Sequence, residues 1–149
     1  MIFYQLQIGG EWIEVDSLTQ IPNTAIVIDC SFSKLSNFDL EFLDLINFAQ
    51  LYQISCSSNR LTYLPEWSNL VSLRRIFCYD NQITKMPEWK TLINLETIGC
   101  SRNQIKILPE WNTLTNLHTI YCGHNLLKKL PKWSTLTNLN TVYYRGNLF

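Results

Sequence analysis

The chain has 149 residues and a mass of 17.5 kDa, the size of one domain or one short repeat array. Apolar residues make up 46% and charged residues 16%, so it can bury a core and is not a disordered chain. Twelve basic and twelve acidic side chains cancel, against the strongly basic footprint that duplex nucleic acid demands, and no run nears the roughly 20 apolar residues of a spanning helix.

In chain order, residues 3–15 form two alternating runs around Gly9-Gly10, which predicts a β-hairpin, and residues 1–24 are expected to cap the segment after them. The opening residues lack a basic flank and an unbroken apolar stretch, so they read as no secretory signal. Residues 25–50 carry Ile28, Cys30 and Leu35 in a spacing that recurs later. Within them, Leu40, Leu43, Ile46 and Phe48, with Asp39 and Glu41 early, predict a short helix over 37–50.

From residue 51 the chain repeats itself every 22 residues. Trp67, Trp89, Trp111 and Trp133 keep that interval, as do Pro65, Pro87, Pro109 and Pro131, Cys56, Cys78, Cys100 and Cys122, and Asn59, Asn81, Asn103, Asn125 and Asn147. Four complete units (51–72, 73–94, 95–116, 117–138) precede a partial one over 139–149. Each slot has a physical reading. Ile76 and Cys78 are two apart, so on a strand both point into the coil. The asparagine ends the strand, where its amide can satisfy backbone groups opened by the turn. Proline blocks further pairing, and Trp89, Leu92 and Leu95 are spaced by three, as a helical or 3-10 turn on the outer side requires.

This pattern resembles the leucine-rich repeat, over about residues 25–149. A cysteine in the strand slot and a Leu-Pro after the asparagine (Leu64-Pro65, Leu108-Pro109) are similar to repeat proteins of bacteria and giant DNA viruses. The resemblance implies an α/β repeat fold: a right-handed solenoid with a curved parallel sheet on the concave side and short helical or irregular convex segments. It also implies a non-enzymatic protein-protein interaction module that grips a protein partner on the concave face. The alternative is a recognition subunit of an enzyme complex such as a ubiquitin ligase; 149 residues leave no room for a ligase domain beside the repeats.

Strand alternation puts slots three, five and seven of each unit on that face. Aromatic and arginine residues dominate binding hot spots, so Phe77, Tyr79, Tyr121 and Tyr143 with Arg74, Arg75, Arg102 and Arg145 form the candidate binding ribbon. Strand propensity alone is the competing account of the aromatics. Cys56, Cys78, Cys100 and Cys122, and Asn59, Asn81, Asn103 and Asn125, are expected to be structural: the cysteines lack the short paired spacing of a zinc site and read as buried, inert thiols. A reduced cysteine ladder fits the cytoplasm, that of a host if the source is viral. The tryptophans read as convex packing, and Glu66, Glu88 and Glu110 as solvated or in turns. His118 and His124 do not join Asp80 in a catalytic set, and neither cofactor nor metal is expected. Single-stranded nucleic acid is a remote reading of the aromatics and arginines. Tyr144, in the last cysteine slot, is expected to seal the final layer, and the open last coil is a possible homodimer contact.

The charge is graded along the chain. Residues 1–50 hold seven acids and one base, and residues 101–149 hold one acid and six bases. In an elongated array this makes a field from end to end, damped by salt.

Overall fold

A computed structural model describes residues 1–149 apart from the side chain of Phe38. The repeat period becomes a coil. Five strands of three residues, β4 (Gln53–Ser55), β5 (Arg75–Phe77), β6 (Thr97–Gly99), β7 (Thr119–Tyr121) and β8 (Thr141–Tyr143), lie parallel and in register. Upstream stand β1 (Ile2–Gln5), β2 (Ile13–Val15), a 3-10 turn (Leu18–Gln20), β3 (Val27–Asp29) and helix α1 (Asn37–Leu45). One sheet runs β2-β1-β3-β4-β5-β6-β7-β8, antiparallel over its first three strands and parallel from β3 onward. The expected solenoid forms, and beyond α1 and the single 3-10 turn its return legs are turns.

The hairpin differs from the simplest reading. Gly9 takes φ +73° and the Gly10 N–H donates to Gln7 O at 3.0 Å, but the strands part early, leaving residues 6–12 as a loop. The reason lies on the other edge of β1, which pairs with β3 only as far as Gln5 against Val27. Leu6 and Ile8, inward in a strict alternation, are therefore exposed.

Helix α1 also stops short of Gln50. Ser36 precedes it, and the Asp39 carboxylate accepts from the Ser36 N–H at 2.8 Å and its hydroxyl at 2.7 Å. Ile46 is extended, because the chain must then make the turn that every coil makes: Leu51 N–H to Phe48 O, 3.1 Å, matches Leu73 N–H to Leu70 O, 3.0 Å, one period on. Phe48 thus belongs to the column of Leu70, Leu92, Leu114 and Leu136, buried throughout.

Coils are locked together by side-chain amides. Asn103 Nδ2 donates to the carbonyls of Cys78 and Cys100 at 3.0 and 3.1 Å, while its Oδ1 accepts from the Ile83 N–H at 3.0 Å. Asn81 and Asn125 repeat the arrangement, and Asn59 and Asn147 carry it to both ends of the array. Each amide joins its own coil to the preceding one, so stacking, rather than any isolated coil, satisfies the turn.

The tryptophans form a second ladder. Trp67, Trp89, Trp111 and Trp133 stack with centroids 6.2–6.3 Å apart and planes within 4–9°, the offset that ring quadrupoles favour. Each has φ of +45 to +47°, costly for a side-chain-bearing residue. At Trp89 three bonds hold this conformation. The Trp89 N–H donates to Glu66 Oε2 at 2.9 Å, its indole N–H to Pro65 O at 3.0 Å, and its carbonyl accepts from the Leu92 N–H at 3.0 Å. Glu110 meets the Trp133 N–H likewise at 3.2 Å. Glu66 and Glu110 are therefore bonded to the next coil rather than simply solvated, a correction that the period alone did not supply.

Candidate functional site

The hollow face is built on two cross-strand rows. One row is Gln53, Arg75, Thr97, Thr119 and Thr141; the other is Ser55, Phe77, Gly99, Tyr121 and Tyr143. Between them runs the buried row of Ile54, Ile76, Ile98 and Ile120, which fixes the alternation and turns its neighbours outward.

Gly99 interrupts the aromatic row, and Tyr79 repairs it. The Tyr79 side chain leans from the preceding coil across Gly99: a Cβ there would lie 2.3 Å from its hydroxyl and 2.8 Å from the Phe77 ring. Phe77 and Tyr79 stack at 5.7 Å, Tyr79 meets Tyr121 edge-on at 6.3 Å and 70°, and Tyr121 stacks on Tyr143 at 4.8 Å and 2°. Four rings thus run unbroken over four coils. Burial, helped by the neighbouring Tyr121 phenol, pushes the Tyr79 hydroxyl well above its usual range, so it stays a neutral hydrogen-bond group.

The arginines are divided in role. Arg74 is paired with Glu96, and the Arg75 guanidinium lies 5.3 Å from the centre of the Tyr52 ring. Tyr52, one period before Arg74 and just ahead of β4, is a concave-side residue that the sequence reading does not name. Arg102 and Arg145 are exposed and, among the described residues, pair with no carboxylate. Two concave serines serve the ladder: Ser57 Oγ accepts from the Tyr79 N–H and Ser101 Oγ from the Gly123 N–H, each at 3.1 Å.

The cysteines lie beneath this face. Cys30, Cys56, Cys78, Cys100 and Cys122 are free and buried. Cys30 and Cys78 Sγ donate to Ser55 and Gly99 carbonyls at 3.3 Å, and burial raises every thiol above its ordinary value, to about 11 for Cys122. Among the described residues no cluster of histidine, cysteine and carboxylate fit for a metal occurs. His118 Nδ1 lies 3.1 Å from Thr119 Oγ1, and the His124 ring lies against Gly146, so neither is joined to Asp80. Tyr144 does not seal the last layer: it is 48% exposed, with its ring 5.7 Å from that of Phe149.

A family model described as "Leucine Rich repeats (2 copies)" matches residues 93–139. No curated protein sequence matches the chain. Three solved structures are similar to it. A leucine-rich-repeat protein of Leptospira interrogans is 31% identical, with a TM-score of 0.66, over 74% of this chain and 28% of that one. YopM, a leucine-rich effector protein from Yersinia pestis, is 33% identical, with a TM-score of 0.61, over 68% of this chain and 28% of its own. The functional domain of InlJ from Listeria monocytogenes, which includes a cysteine ladder, is 25% identical, with a TM-score of 0.69, over 83% and 26%. The chain therefore spans little more than a quarter of the length of each. The 22-residue period, the asparagine ladder, the parallel sheet and these likenesses agree: the chain is a solenoid of leucine-rich repeats.

Proposed function

We propose that the chain is a non-enzymatic interaction module that holds a protein partner in the hollow of its sheet. The observation that supports this reading is the unbroken ring row from Phe77 to Tyr143. Nothing in the coil needs these rings, since the interior is already filled by isoleucine, cysteine and tryptophan, and Tyr143 is 55% exposed. Rigid aromatic side chains give large contact area at small entropic cost, and unpaired Arg102 and Arg145 supply forked donors for carboxylates at the rim. Five buried free thiols suit a reducing compartment, so we place this activity in a cytoplasm.

The test is capture from a lysate by the immobilised chain, compared with Phe77→Ala/Tyr121→Ala. We expect the double variant to keep its unfolding midpoint within about 1 kcal/mol of wild type while captured partner falls at least tenfold, as for a hot-spot pair. Equal capture by the two proteins would move the site off the concave face.

A further inference from the structure

A second surface differs in kind from the hollow. Just past the asparagine of each coil, the chain runs along a flank before turning to the tryptophan. On the first coil this flank is covered by the protein itself: Asn37 of α1 exchanges hydrogen bonds of 3.0 Å with Thr62, and Tyr63 donates to Glu41. On the later coils no described residue covers it. There Lys106, Lys128 and Lys129 line one open depression of about 500 Å³ together with Ile107, Leu126 and Leu148. Lys85 extends the same strip one coil back. All four lysines are exposed and, among the described residues, none is paired with an acid.

The cations are sorted by type. The concave face carries Arg74, Arg75, Arg102 and Arg145, whereas the cations of the open stretch of this flank are Lys85, Lys106, Lys128 and Lys129, with Glu88 and Glu110 on the side toward the tryptophan leg. Lysine is a hydrated, mobile point charge that suits a diffuse anionic surface; arginine's fork suits fixed carboxylates. The aliphatics have a matching character. Ile107 is 72% and Leu148 60% exposed, so they stand out from the flank instead of lining a closed slot for a peptide. The acids are concentrated in residues 1–50, at the other end of the solenoid, so a negative surface would draw in the lysine end and turn the acidic end away.

We propose that this flank docks on an anionic lipid bilayer, with Lys85, Lys106, Lys128 and Lys129 over the headgroup phosphates and Ile107, Leu126 and Leu148 inserted at the acyl boundary. This is contact with a surface; none of the helices is long and apolar enough to cross a membrane. Four clustered lysines with protruding aliphatics supply the two signals, electrostatic and apolar, that reversible adsorption needs.

Co-sedimentation with phosphatidylserine–phosphatidylcholine vesicles, against phosphatidylcholine alone, tests it. We expect binding that requires phosphatidylserine and weakens with salt. Lys106→Gln/Lys128→Gln/Lys129→Gln should lower partitioning about a hundredfold, roughly fivefold per lysine. Ile107→Ser/Leu148→Ser should lower it while keeping the salt response, and Phe77→Ala/Tyr121→Ala should leave it unchanged, which separates this surface from the concave one. Equal binding to both vesicles, or indifference to the lysine variant with the fold verified by its unfolding midpoint, would overturn the proposal. So would lysine-dependent binding of polyglutamate or a single-stranded oligonucleotide that exceeds vesicle binding.

Discussion

Two rows of aromatic rings run along this solenoid, one on each side of the coil, and they obey opposite rules. The tryptophan row is nearly the same in every unit: separations of 6.2–6.3 Å, near-parallel planes, burial, and an indole N–H that donates to a backbone carbonyl of the preceding coil. The concave row changes from coil to coil, with separations from 4.8 to 6.3 Å, angles from 2 to 70°, and a borrowed ring bridging Gly99. Repetition comes from packing, because stacked coils present the same environment at each step. Where the environment is solvent, packing imposes nothing and the side chains are free to answer to a partner.

That contrast is broken most directly at Trp111, which sits between two rings and donates its indole N–H to Pro87 O at 2.9 Å. Trp111→Ala should cost about 3–5 kcal/mol in denaturant unfolding, the range for deleting a buried aromatic. Phe77→Ala, on the other row, should cost less than about 1 kcal/mol. Comparable losses at the two positions would erase the distinction between a structural and a recognition row.

The asparagine ladder comes next. Asn103→Ala takes the acceptor from the buried Ile83 N–H and one of two amide donors from each of the Cys78 and Cys100 carbonyls, which keep Asn81 and Asn125. One unsatisfied group of this kind costs about 1–3 kcal/mol, so a loss of about 1–3 kcal/mol is expected. A midpoint unmoved by this variant would show that water replaces the amide freely.

Legibility in the sequence divides along the same line. The period turns Ile76 and Cys78 inward, where both are buried, because each slot has one physical solution. It leaves the bonds of Glu66 and Glu110 unread, since an exposed carboxylate at a turn gives no sign of reaching a backbone N–H one coil away. Asp44 escapes it altogether. It lies one period before Glu66, in the same acid column as Glu88 and Glu110, but α1 replaces the proline–tryptophan leg there and leaves Leu45, in the tryptophan slot, 82% exposed. Strand alternation assigns Tyr79 to the concave face, but its lean across Gly99 depends on the absence of a Cβ on the neighbouring coil. The lysine flank gives no signal in the period because its residues vary between coils and only the solenoid sets them side by side.

The smallest expected effect tests whether Asp44 does for Trp67 what Glu66 does for Trp89. One oxygen of Asp44 is buried without a hydrogen-bond partner. Burial holds its carboxyl above the ordinary value, against the pull of the backbone N–H groups of Trp67, Asn69 and Ser68. An acid whose folded pKa is raised weakens the fold while it is charged, and that burden is relieved as pH falls through the folded value. Below the ordinary carboxylate range both states are protonated and the effect no longer varies. Asp44→Asn should therefore stabilise the protein slightly at neutral pH, by less than about 0.5 kcal/mol for so solvated a group, with the difference from wild type shrinking as pH falls toward about 4. Glu66→Gln should do the reverse and weaken the protein, because it replaces a charged acceptor at the Trp89 N–H with a neutral one. Denaturant midpoints of the two variants across pH decide the matter. If Asp44→Asn instead destabilises at neutral pH, the carboxylate caps the Trp67 turn as Glu66 caps its own, and the helix-bearing first unit obeys the same electrostatic rule as the coils after it.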